Sequence, residues 1–131
     1  MADHPNAELV RKGLGAFAKG DMAAVGQLLA ADIQWHVPGN NPLSGDYKGK
    51  DEVFGFFAKI ADLSGGNFRL EVHDVVGNDE HVVALVRFSG SRPDGRTLEA
   101  PSAQVYHVRD GKAVEFWGMV EDQVKVDAFW S

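Results

Sequence analysis

The chain of 131 residues contains no cysteine, which excludes disulfides, thiolate nucleophiles and thiolate metal ligands. Positive charge is scarce. Its 13 Lys and Arg stand against 19 Asp and Glu, a formal balance of -6, and they form no basic stripe. Such a surface repels phosphate backbones, so nucleic acid is not an expected partner. No apolar run approaches the roughly 20 residues that span a bilayer. Met1-Ala2-Asp3-His4-Pro5 also lacks the basic-then-apolar pattern of a secretion signal. A cytoplasmic protein with no membrane partner is expected. Metal-ligand patterns are poor as well. Glu71-Val72-His73 is the one suggestive strand pair, and an outward Glu and His on one strand face are ordinarily just solvated. No glycine-rich phosphate loop is present, since Gly13-x-Gly15 lies inside a helical pattern rather than after a strand. Neither a metal nor a cofactor is expected.

What remains is an ordinary globular mix, 44% hydrophobic and 24% charged, in a length that suits one domain over residues 1–131. Asn6 can cap a first helix to about Lys19, with Val10, Leu14 and Phe17 on one apolar face. Gly13 on that face leaves space where a side chain would stand. Gly20-Asp21 ends this helix and caps the next, which turns Val25, Leu28 and Leu29 inward. Ile33 to Val37 alternates as a short strand, Ile33, Trp35 and Val37 on one face and Gln34 and His36 on the other. Gly39 to Lys50 reads as a polar loop. Asp51 is the expected cap of a third helix with Val53, Phe57 and Ile60 on its stripe, widened by Phe54 and Phe56.

Phe68 to Val120 then reads as four strands joined by turns at Gly77–Glu80, Arg92–Gly95 and Arg109–Lys112. Asn, Asp, Gly and Pro-Asp-Gly are the residues such turns demand. One face of this meander carries Val82, Ala84, Val86 and Phe88, then Ser102, Gln104, Tyr106 and Val108, then Phe116, Gly118 and Val120. The other carries Val83, Leu85, Arg87, Val105, His107, Trp117 and Met119. Both faces are substantially apolar. Helices can cover one; a second copy of the chain is the simplest cover for the other. The closing segment from Asp122 to Ser131 is amphipathic and is expected to fold back over an opening.

The order helix, Gly-Asp, helix, strand, loop, helix, meander resembles the nuclear transport factor 2 superfamily, in its SnoaL-like and ketosteroid-isomerase-like branch. The residues that carry the resemblance are Ala18-Lys19-Gly20-Asp21, Ala31 to Gly39, Tyr47-Lys48-Gly49-Lys50-Asp51, Val108 to Lys112 and Glu121-Asp122-Gln123. The resemblance implies an α+β fold. In it a curved, mostly antiparallel sheet forms a cone-shaped barrel on three helices, around an apolar cavity, and dimers are common; for this chain a homodimer through the convex sheet face is expected. It does not imply one chemistry. The isomerase base position falls on Val37, its Tyr on Gly13 and its acid on Gln104, so that set is broken. The acid-arginine-acid cluster of limonene-type epoxide hydrolases reduces to Arg87-Phe88-Ser89, with Gly118 near the second acid position.

Two classes of function stay open. The first is a small apolar ligand held in the cone and processed by cofactor-free isomerase- or cyclase-type proton transfer. There His36 and Asp122 would handle the proton, with Gln104 or Tyr106 orienting a carbonyl. His73 and His107 are weaker candidates. The plain alternative for each His is a partly exposed or interface side chain, and for Asp122 the cap of the last helix. The second class is a non-catalytic carrier or a dimerisation module. In either case the expected ligand wall is Trp35, Val37, Phe57, Val86, Gln104, Tyr106 and Phe116.

Overall fold

Three hairpin turns shape the C-terminal half of the chain. In the computed structural model, which describes residues 3–131, they join β3 (Arg69–Gly77), β4 (His81–Ser91), β5 (Thr97–Arg109) and β6 (Lys112–Val120). Each turn is made by the residue type that suits it. Asn78 Oδ1 accepts from the N–H groups of Glu80 and His81, both at 2.9 Å. Gly95, at φ +94°, donates its N–H to Arg92 O. Asp110 and Gly111 both take the left-handed backbone, at φ +52° and +74°.

The first half supplies α1 (Pro5–Lys19), α2 (Met22–Leu28), β1 (Leu29–Val37), β2 (Gly45–Lys48) and α3 (Gly49–Ser64). A last helix, α4 (Gln123–Trp130), closes the chain. The six strands form one mixed sheet in the order β2-β1-β6-β5-β4-β3, antiparallel except where β1 runs parallel to β6. It is an open α+β sheet rather than a closed barrel. Register shifts with extra residues in β1, β3 and β6 supply its curvature.

The inner face matches the alternation read from sequence. Val82, Ala84 and Val86 of β4 are buried, as are Ser102, Gln104, Tyr106 and Val108 of β5 and Phe116 of β6. On the outer face Leu85 and Met119 stay exposed, at 41% and 53%. Period-2 burial along β5 alternates without a break from Leu98 to Val108.

Several boundaries differ from expectation, each for a local reason. His4, not Asn6, caps α1, its Nδ1 accepting from Asn6 N–H, because Pro5 occupies the first helical position. Asn6 instead donates through Nδ2 to Asn78 O and Asp79 O, tying the helix start to a hairpin. Asp51 lies in the first turn of α3. Lys48 holds the cap position without a side-chain bond, and Glu52 Oε1 accepts from its N–H. Leu29 begins β1 rather than ending α2's apolar face. Part of the expected loop is the edge strand β2, four residues too short and too polar to show a period. The expected helix stripe also rotates slightly, with Phe56 buried and Phe57 half-buried.

The Gly20-Asp21 junction behaves as read. Gly20 ends α1 at φ +75°, and Asp21 Oδ1 accepts from Ala24 N–H at 3.1 Å. Asp21→Ala is expected to lower unfolding free energy by about 1 kcal/mol, the usual worth of an N-cap. A urea denaturation curve of the variant checks it; an unchanged midpoint would show the cap to be idle.

Candidate functional site

Between the inner sheet face, the helices and α4 lies a cavity of about 160 Å³. That is close to the roughly 150 Å³ at which a dry apolar hole binds benzene. Its floor is aromatic. The rings of Trp35 and Phe116 stack at 3.8 Å, and Phe57 and Tyr106 meet Trp35 edge-on. The parallel register of β1 and β6 sets Trp35 directly beside Phe116. Leu14, Phe17, Leu28 and Ile60 wall the helical side. A Cβ at Gly13 would stand 3.0 Å from Leu28, so the glycine lets α1 and α2 close on each other.

The polar inventory of the wall is short. Gln104 and Tyr106 are both buried, and the Tyr106 hydroxyl donates to Gln104 Oε1 at 2.9 Å. That bond fixes the amide oxygen toward Tyr106 and leaves the amide N–H groups available as donors. Burial pushes the Tyr106 phenol well above its ordinary value, so it remains a protonated donor. Trp35 Nε1 is buried without a hydrogen-bond partner among the described residues. A donor left so costs about 1–3 kcal/mol. Asn41 and Gln123 stand where the cavity meets α4. No Asp, Glu, His, Lys or Arg lines the cavity among the described residues.

A family model described as a SnoaL-like domain matches residues 10–116. This chain is a SnoaL-like protein. It is 31% identical over 132 residues to the uncharacterised protein Rv0034 of Mycobacterium tuberculosis, covering 100% of both chains. Bal32a, from a soil-derived mobile gene cassette, superposes with a TM-score of 0.93 at 30% identity, covering 97% of each chain. IdmH, a proposed polyketide cyclase from Streptomyces antibioticus, shares the fold at a TM-score of 0.74 and 22% identity, over 90% of this chain and 93% of that one. The fold is the one described in neighbouring structures as cystatin-like and NTF2-like.

Within this SnoaL-like protein, six of the expected ligand-wall residues do line the cavity: Trp35, Val37, Phe57, Gln104, Tyr106 and Phe116. Val86 does not. It is buried in the core on the expected face, but parity sets the face of a strand residue, not whether a helix covers it. Phe88 and Leu70, paired across β4 and β3, line the cavity instead. Gly13, Val37 and Gln104, the three positions aligned with isomerase chemistry, all reach the wall and together offer one amide.

The two expected proton handlers fall elsewhere. Asp122 is exposed and caps α4, its Oδ1 accepting from Lys125 N–H at 3.1 Å. His36 lies on the outer sheet face, between Asp46 Oδ1 at 2.6 Å from Nδ1 and Glu115 Oε2 at 2.7 Å from Nε2. Its ring stacks on Trp117 at 5.8 Å. The bond to Asp46 raises the His36 pKa; partial burial opposes this, and the bond to Glu115 adds to it. Alternation is decisive here. With Trp35 and Val37 inside, His36 points out.

At the cavity rim α4 is latched to the loop after β1. Asp127 Oδ1 accepts from Asn40 N–H (3.1 Å), Asn41 Nδ2 (2.7 Å) and Gln123 Nε2 (2.9 Å). Burial opposes ionisation of Asp127, but these three donors prevail and hold its carboxyl below the ordinary range. Sequence reasoning missed this latch because Asn40 and Asn41 lie 87 and 86 residues from Asp127 and nothing local links them to it. Gly39 makes room for it. The glycine has φ +93°, and a Cβ there would collide with Gln123 Nε2 and Asp127 Oδ1. Gly39→Ala is therefore expected to cost about 1–3 kcal/mol of unfolding free energy. Chemical denaturation measures it, and a neutral substitution would mean the rim yields freely.

Proposed function

We propose that this SnoaL-like protein binds a small, neutral, largely apolar ring compound bearing one acceptor oxygen, and releases it chemically unchanged. The observation that carries the reading is the cavity wall, where among the described residues Tyr106 is the only titratable side chain and burial keeps it protonated. General acid–base work needs a group whose pKa lies near the operating pH. The wall offers none. An apolar ring gains from burial against Trp35, Phe116 and Phe57, while Gln104, its oxygen turned to Tyr106, offers its N–H groups to a ligand carbonyl. A charged ligand would lose its hydration with no counter-charge in return.

The likeness to IdmH keeps a cyclase-type reading in view. In that reading Gln104 would polarise a carbonyl of a chain folded inside the cavity, with the base supplied by something other than the wall.

Calorimetric titration with indane and 1-indanone, one skeleton without and with a carbonyl, tests the binding reading. The ketone is expected to bind more tightly. Gln104→Leu should remove that advantage, about fivefold for one net hydrogen bond of about 1 kcal/mol, and leave indane unaffected. Failure of both compounds to bind at millimolar concentration would sink the reading, and recovery of altered ligand would favour the cyclase.

The outer sheet face suits a second copy of the chain. Val83, Val105 and Trp117 are half-buried beside exposed Leu85 and Met119. A twofold axis through this face would set the same apolar residues against themselves. Trp117→Asp is expected to shift sedimentation from dimer to monomer. A dimer that survives the charge places the contact elsewhere.

A further inference from the structure

We propose that the triad Asp46–His36–Glu115 is a proton-held clasp on residues 38–48, and that this segment is the door of the cavity. The ligand role of the cavity rests on the function proposed above; the clasp itself does not.

The three side chains belong to three strands. Asp46 is on the edge strand β2, His36 on β1 and Glu115 on β6. Both ring nitrogens of His36 sit within 2.7 Å of a carboxylate oxygen. A carboxylate only accepts, so both contacts are hydrogen bonds only if both nitrogens carry protons. The geometry is that of the imidazolium. Loss of one proton turns one of the two contacts into a lone pair facing a carboxylate.

β2 has little else to hold it. It is four residues long, pairs on one edge with β1, and leaves its other edge free. Its Tyr47 carries the movement inward. The Tyr47 hydroxyl donates to Leu43 O at 2.7 Å, its ring packs on Phe56 at 5.0 Å, and both Leu43 and Phe56 line the cavity. Release of β2 therefore loosens the hold of Tyr47 on Leu43, while Lys59 Nζ of α3 still donates to Pro42 O at 2.7 Å beside it. The other end of the segment remains tied to α4 through Asp127, Asn40 and Asn41, and acts as the hinge.

Few other charges bear on His36. On β2, Lys48 shares the face of Asp46 two residues along. On β6, Glu115 stands opposite His107 of β5, which stacks in turn on His81 of β4 at 5.1 Å. Trp117 covers one side of the ring. The helices lie against the opposite sheet face. The dominant partners are the two carboxylates, which favour the charged ring.

The sign follows. A histidine whose folded pKa is raised contributes fully below its unfolded value of about 6.5. That contribution is lost as pH rises through the higher folded value. The door is thus held below the unfolded value and freed as pH rises through the higher folded one.

Amide hydrogen exchange of Gly45 to Lys48 between pH 6 and 10, divided by intrinsic rates, reads the clasp without any ligand. Protection is expected to fall at least about tenfold across the titration of His36, followed in parallel by its ring NMR signals. Asp46→Asn and Glu115→Gln keep a hydrogen-bonding side chain but remove a charge, so each should move both transitions to lower pH together. Protection that is flat with pH, or a midpoint indifferent to both substitutions, overturns the clasp. If the transition appears while 1-indanone fails to bind at any pH, the clasp stands and the ligand reading of the cavity falls.

Discussion

The parallel pairing of β1 with β6 is the joint on which the rest of the molecule depends. Every other contact between strands is antiparallel and local to a hairpin or a short loop, whereas this one ties residues near 35 to residues near 116. It lays Trp35 on Phe116 inside and His36 beside Trp117 outside. One register thereby sets both the aromatic floor of the cavity and the ion pair on the opposite surface. A slip of a single residue would exchange them, putting an imidazole into an oily hollow and an indole into water.

That joint also explains how much could be read beforehand. The meander was legible because its turns are written in Asn, Asp, Pro and Gly and its strands alternate. Those signals are local, and residues 97–109 carry them almost without noise. The inner and outer faces followed from the same alternation, and so did Trp35, Val37, Gln104, Tyr106 and Phe116 on the cavity wall, with Phe57 read from its helix stripe. Parity alone even places His36 outside. The expectation that it handles a proton in the cavity leaned on the family resemblance, and the alternation overruled it. The latch around Asp127, the strand β2 and the two carboxylates on His36 were illegible for a different reason. Each joins residues far apart in the chain, or rests on segments too short to show a period.

The cavity and the clasp divide polar chemistry between them. Inside, a buried hydroxyl–amide pair, an orphan indole N–H and the amides of Asn41 and Gln123 at the rim interrupt the apolar wall. Outside, an imidazole and two carboxylates are arranged across three strands. Keeping charge off the wall avoids the desolvation that would otherwise accompany it. Placing it across the edge strand gives a four-residue element a hold that backbone pairing alone supplies poorly.

A wall without charge has a consequence for selectivity. Nothing in it discriminates by long-range attraction, so beyond the one hydrogen bond from Gln104, occupants would compete by how readily they leave water for oil and by how well their outline fits the stacked rings. Ionic strength, which screens surface contacts over about 8–10 Å, would leave that contest untouched. The hollow would behave less like a lock for one key than like a tiny droplet of solvent with a shaped boundary.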